Sequence, residues 1–384
     1  MAPRELDDKP PFWRDVKVLA WVFQLVILAL VLAFLAYLAN NVRVNSADLG
    51  IPVGFEFLDQ PSSFTIPGND LRESQPVRDA LVEGALNTLR VSIVGIVLAT
   101  VLGILIGIGR LSGNWLLSQI TRVYVEVVRN VPLLGLVIFA YLALVLAAMP
   151  RIEDAWQLDS LVTVSNRGLV VPWLTGPGLA FLGVVVLAFV VGVLVAGWRQ
   201  RVAARTGQPP RDLLWAVASF VVLVLVGAAL VGNGLSFPSL EGDQIEGGII
   251  MQPEYFALLL ALVIYTASHI AEIVRGSIQA VPRGQFEASS ALAFSGAQRM
   301  RYIILPQALR IAVPPIGNQY LNLMKNSSLG FAISFFELTK VASTSIGNRS
   351  PAVPTYLLLM AIYLVFSLII SALVNTVNRR MQVE

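Results

Sequence analysis

Asn318, Gln319, Asn322, Lys325 and Asn326 interrupt an otherwise apolar stretch. Asn318, Asn322 and Asn326 recur every four residues, so a helix places them on one face. An amide both donates and accepts. Such a face suits a polar solute moving along a pathway, or hydrogen bonding to a neighbouring helix. Pro314 and Pro315 lie just before it and are expected to disrupt the preceding turn and free backbone carbonyls. A second group, His269, Glu272 and Arg275, stands at i, i+3 and i+6. Histidine titrates near neutrality, which makes a proton relay conceivable. An ion pair between Glu272 and Arg275, bracing the span to the loop after it, is the preferred reading. Glu287 follows Pro282 in an Ala- and Ser-rich stretch. A carboxylate in the first turn of a short helix suits the helix dipole and could also meet a basic partner residue. Gly95, Ala99, Gly103 and Gly107 recur every four residues, a spacing that lets helices approach closely.

Other chemistry is excluded. The chain has no cysteine and one histidine, which leaves no thiol nucleophile and no histidine-rich metal site. A P-loop needs Gly-Lys-Ser/Thr, yet none of Lys9, Lys17, Lys325 and Lys340 follows a glycine. No cluster of histidine or paired carboxylates suggests an enzyme, and no metal or cofactor is expected in this chain.

These residues must be positioned by membrane helices. The 384 residues are 56% hydrophobic and 13% charged, with mean hydropathy +0.73, against about 25% charged in soluble proteins. A single soluble core stops growing near 250–300 residues, so the apolar surface must face lipid. Eight stretches suit helical spans: Val18–Ala39, Ala85–Arg110, Val131–Met149, Gly178–Gly197, Leu213–Val231, Tyr255–Val274, Ile311–Leu323 and Tyr356–Val377. The first is too long for a signal peptide and is expected to remain as a helix. With the N-terminus inside, 18 of the 27 basic residues face the cytoplasm, as the positive-inside rule requires. Both termini are then cytoplasmic. The basic balance follows from topology, and nucleic acid is not an expected partner. The fold class is an all-α polytopic membrane protein embedded in a lipid bilayer.

The expected organisation is a first span with a long outer loop (1–81), the first part of a core (82–149), outer loops with a two-helix hairpin (150–253), and the rest of the core (254–384). No internal repeat supports an inverted-repeat transporter. The inner segment 276–310 is expected to form one or two short amphipathic helices. These could rest on headgroups or dock a cytoplasmic partner.

This segment carries a resemblance. Glu287-Ala288-Ser289, then Ala293, then Ile303-Ile304-Leu305-Pro306 resembles the EAA loop of ABC importer permeases, with Ser289 in place of an alanine and Ala293 in place of a glycine. Tyr124, Glu126, Arg129, Asn130 and Pro132 resemble the motif that enters the third span of polar amino-acid permeases. Glu272-x-x-Arg275-Gly276, Pro306 to Arg310 and Lys325 to Leu329 match as well. The larger layout is similar to permease subunits of the general L-amino-acid and the glutamate/glutamine/aspartate/asparagine ABC importers.

The resemblance implies a type I permease core and an ATPase-coupling surface at Glu287, Ala288, Ser289, Ala293, Gly296, Leu305 and Pro306. It implies structural or gating roles for Glu126, Arg129, Pro132, Glu272 and Arg275. The implied partners are separate ABC ATPases that bind ATP and Mg, a second permease (a heterodimer favoured) and a periplasmic amino-acid-binding protein, at a bacterial inner membrane. Uncharged Gln319 and Asn326 imply a broad or acidic and amide substrate range. The alternative is an ion-coupled secondary transporter.

Overall fold

The computed structural model describes residues 13–50, 52–68, 72–158, 161–175, 178–206, 212–230, 234–241 and 244–382. The chain opens with α1 (Val16–Asp48), whose Asp15 caps it by accepting from the Lys17 N–H. α1 is apolar on all sides and buries none of its residues. α2 (Val77–Gly109) is as long but differs in composition. It begins before the predicted Ala85, because the preceding loop packs onto its outer end. There Phe57, Phe64 and Ile66 bury against Val77, Ala80 and Leu81. The predicted boundary at residue 81 therefore falls inside α2.

The third predicted span, Val131–Met149, is the second arm of a bent pair. α3 (Trp115–Asn130) is amphipathic and capped by Asn114. α4 (Leu133–Phe139) follows at an angle of 104° and continues as a π-helix over Ala140–Ala147. Pro132 stands at the corner, where its fixed φ starts a helix and ends none.

The inserted region contains strands where the sequence suggested loops. They are β1 (Trp156–Leu158), β2 (Val162–Ser165), β3 (Gly168–Val171) and β4 (Trp173–Thr175), then α5 (Gly178–Thr206) and α6 (Asp212–Leu230). β5 (Gly234–Ser236), β6 (Ser239–Glu241), β7 (Gln244–Glu246) and β8 (Ile249–Met251) follow. All pairings are antiparallel. The main sheet has the order β1-β2-β3-β8, with Leu169 opposite Met251. β4 pairs with β5 across the ends of the helical hairpin, and β6 with β7. Strands of three or four residues are too short to show alternation in a sequence.

α7 (Pro253–Gln279) is the centre of the molecule, with Ala257, Leu258, Leu262, Ala267 and Ile270 buried. α2 lies against it through the predicted small-residue stripe. A Cβ on Gly103 would stand 2.7 Å from the Ile270 side chain, and one on Gly107 2.8 Å from the Ala271 carbonyl. The neighbour of that stripe is thus this chain's own α7. The segment after α7 folds as α8 (Arg283–Ala291), α9 (Gly296–Arg299), a π-turn over Met300–Ile304 and α10 (Leu305–Asn326). α10 passes through Pro314 and Pro315 without a break, which corrects the disrupted turn expected there. The two prolines remove the donors for the Arg310 and Ile311 carbonyls. Packing of Ala312, Ile316 and Gly317 keeps the helix continuous; at Gly317 a Cβ would collide with Val374. α11 (Leu338–Gly347) caps the outer end of α2, and α12 (Ala352–Gln382) completes the chain.

Each of the eight predicted spans thus falls on a helix, although Val231 lies outside the described residues. Among the described residues, five helices are long and apolar enough to cross a membrane alone, and the bent pair makes a sixth. α10 is too polar to qualify and α6 too short.

Candidate functional site

The segment 276–310 is fastened at both ends. Val281, Ile304 and Ala308 form a buried cluster with Ile278, Phe286 and Ile303, joining α8 to the end of α7 and the start of α10. Leu305 and Pro306, read in sequence as the end of the loop, form the first turn of α10 and are exposed. Glu287 is the fifth residue of α8, beyond its first turn, where Arg283 stands instead. The dipole reading of Glu287 is therefore wrong, because the helix begins directly after Pro282. Glu287, Ala288 and Gly296 are exposed, and Leu292 between them keeps 71% of its surface. Ser289 points the other way: it is buried, and its hydroxyl donates to the Phe286 carbonyl at 2.8 Å. Ala293 has φ +56°, the left-handed region where glycine is easiest. The backbone there keeps the shape a glycine would favour and carries the strain in an alanine. Arg299 steadies the outer face by donating to the Ser290 hydroxyl at 2.9 Å. Leu292 and Arg299 were missed in the sequence, since neither belongs to the spaced motif.

α10 divides into two faces. Leu323 and Met324 pack inward, and the Tyr320 hydroxyl meets Thr100 of α2 at 2.9 Å. Ile311, Pro314, Asn318, Asn322 and Lys325 form one exposed stripe. Gln319 and Asn326 are half-buried beside it, so Asn326 does not share the face of the other two asparagines. Among the described residues, none of these four amide side chains makes a hydrogen bond within the chain. Amide side chains within a bilayer are costly against lipid, so such a stripe suits water, a partner helix or a solute.

Glu272 bonds Arg275 on its own helix and Arg110 at the end of α2. Arg275 also donates to Gln279. The brace therefore joins α2 to α7, rather than the span to the coupling segment. Arg110 went unrecognised because it is distant in sequence. His269 takes no part: its ring lies 4.7 Å from that of Tyr265, and its Nε2 is buried without a partner. No hydrogen bond joins it to Glu272, so the residues form no relay. On α3, Glu126 pairs with Arg122 at 2.8 Å, and both are exposed. Arg129 is exposed near the corner made by Pro132.

One charged group had no sequence signal. Glu337, outside the long spanning helices, is fully buried at the start of α11. Its carboxylate accepts from the Thr339 N–H at 2.7 Å, the Lys340 N–H at 2.8 Å and the Tyr363 hydroxyl at 3.0 Å. Burial pushes its carboxyl up to about 7, against the pull of those donors. Glutamate is not among the preferred N-cap residues, so nothing marked it.

A bent helix pair, an exposed segment clamped between two helices and a polar stripe on α10 suit a transport permease. Residues 188–383 match the family described as binding-protein-dependent transport system inner membrane component, and the chain belongs to it. Within that family it is an amino-acid ABC transporter permease with a type I core. It is 38% identical over 374 residues to the general L-amino acid transport system permease protein AapQ of Rhizobium johnstonii, covering 96% of this chain and 93% of that one. It is 36% identical over 414 residues to the glutamate/glutamine/aspartate/asparagine transport system permease protein BztB of Rhodobacter capsulatus, covering 96% and 95%. Such a permease is a multi-pass protein of the inner membrane. It is not itself an enzyme, and it works with an ATPase and a binding protein.

Proposed function

We propose that this permease passes a broad set of L-amino acids, acidic and amide ones included, along the α10 stripe of Asn318, Asn322 and Lys325, with Gln319 and Asn326 at its edge. The exposed amide stripe, unbonded within the chain, is the observation that carries this reading. Paired donors and acceptors suit a zwitterion, and the names of the two relatives support the substrate range. The second permease is a different chain that closes the other side of the stripe. Substrate arrives from a periplasmic binding protein at the outer loops. Both termini lie in the cytoplasm.

ATP and Mg bind to a separate ATPase, which docks on Glu287, Ala288, Ala293 and Gly296, with Ser289 turned inward behind them. Because α8 is clamped to α7 and α10, moving this surface moves both helices and switches the side to which the stripe opens. Leu305 and Pro306 carry the movement into α10, while Pro132 and the Glu272 brace hold the frame.

Uptake of radiolabelled glutamate, glutamine and leucine by proteoliposomes of the assembled complex tests this. Asn322→Leu is expected to lower uptake at least several-fold and to change the ratio among the three. Unchanged uptake and selectivity would reject the pathway. Uptake that persists without the ATPase and stops with an ionophore would establish ion coupling instead.

A further inference from the structure

The hairpin of α5 and α6 has a feature that transport does not use. The two helices pack on each other and leave an apolar groove of about 360 Å³ on one side, within the range of small-molecule sites. Phe189, Val193 and Ala196 line it from α5, and Ala216, Val217 and Phe220 from α6. One end opens beside Arg199. The Arg199 guanidinium lies 5.5 Å from the Trp215 ring on the opposite helix, and Trp198 stands next to it. Its Nε is buried without a hydrogen-bond partner. Arg201 and Arg205 continue the basic end of α5 and are exposed. None of the three has a carboxylate partner among the described residues. Asp212 is the sole acidic residue in 178–230.

We propose that this hairpin binds one anionic phospholipid of the surrounding bilayer, with its phosphate on Arg199 and an acyl chain in the groove; Arg201 and Arg205 lie on other faces of α5. The charge is complementary, and tryptophan and arginine belong at the headgroup level. The groove runs from Phe189 to Ala196, about 10 Å of helix, and Arg199 stands about one turn beyond, so the chain lies below its own headgroup. A zwitterionic lipid fills the groove equally well but adds a second positive charge at Arg199. Its ammonium is the group the site discriminates against.

Trp198 and Trp215 report on the site directly. The purified full-length complex in mixed micelles is titrated with brominated phosphatidylglycerol or brominated phosphatidylcholine, and tryptophan quenching is followed. Phosphatidylglycerol should reach half-quenching at a mole fraction roughly fivefold lower, about the effect of one interfacial arginine. Trp198→Phe with Trp215→Phe should remove the difference between the lipids and so locate it. Arg199→Gln should equalise the two lipids while leaving quenching by phosphatidylcholine intact, which shows that the hairpin still folds and inserts. Ala196→Phe, which fills the groove, should weaken quenching by both. Equal half-quenching in the unaltered protein means ordinary annular lipid and overturns the proposal. So does a preference that survives Arg199→Gln, or quenching by both lipids that Ala196→Phe leaves unchanged.

Discussion

α1 and α2 each run for 33 residues, and their most apolar stretches share a mean hydropathy of 2.8. One buries nothing, whereas a third of the other's apolar window is inside the protein. α7 is less apolar, at 1.9, yet 61% of its window is buried. Hydropathy thus says which helices enter the bilayer and not which helices pack together. In lipid no hydrophobic force separates the two outcomes. Close contact comes from small residues, and α2 has five glycines where α1 has none.

The sharpest way to break this contrast is to give α2 a side chain. Gly107→Val places its branch against the Ala271 carbonyl and should destabilise the protein by about 3 kcal/mol, as overpacking does, visible as a lowered midpoint of thermal unfolding in detergent. If Gly107→Val unfolds like the unaltered protein, small residues do not set the packing.

Buried carboxylates extend the comparison, since α1 has none. Glu337 has a folded pKa of about 7, above its ordinary 4.5. The folded state therefore holds the proton more tightly. This stabilisation is fully present below pH 4.5 and is lost as pH rises through 7. Between pH 5 and 7 the protein should lose about 2 kcal/mol of stability. Glu337→Gln should flatten that part of the profile of unfolding midpoint against pH.

Glu272→Gln should cost less, about 1–2 kcal/mol, because the arginines it leaves unpaired keep some contact with solvent. It should loosen α2 from α7, measured as faster amide exchange near Arg110. At the small end, Ala33→Leu on α1 should stay within about 0.5 kcal/mol of the unaltered protein, as surface substitutions do.

The same contrast explains how much could be read from the sequence. Long apolar runs are local patterns, and each lies on a helix; the spaced residues from Glu287 to Ala293 fall on a short helix and its end, whereas Leu305 and Pro306, read as the end of the loop, open α10. The stripe from Gly95 to Gly107 was legible as a packing surface but not as one for α7, because spacing does not name a neighbour. Arg110 meets Glu272 across a long stretch of chain, and Glu337 acquires its environment from α12. Both were invisible for the same reason. The short strands of the insertion exist because their partners do. Asn326 was placed on the wrong face because a period of four drifts around a helix of 3.6 residues per turn.

The pairing of β3 with β8 has a mechanical consequence. The chain leaves the core at Pro150, whose carbonyl accepts from the Asn166 N–H at 2.8 Å. It returns through β8 directly into α7, and the ladder from Leu169 to Met251 ties departure to return. The sheet acts as a strain relief: a sideways pull on α5 and α6 loads hydrogen bonds between β3 and β8 before it loads α4 or α7. The hairpin can tilt while α4 and α7 keep their places.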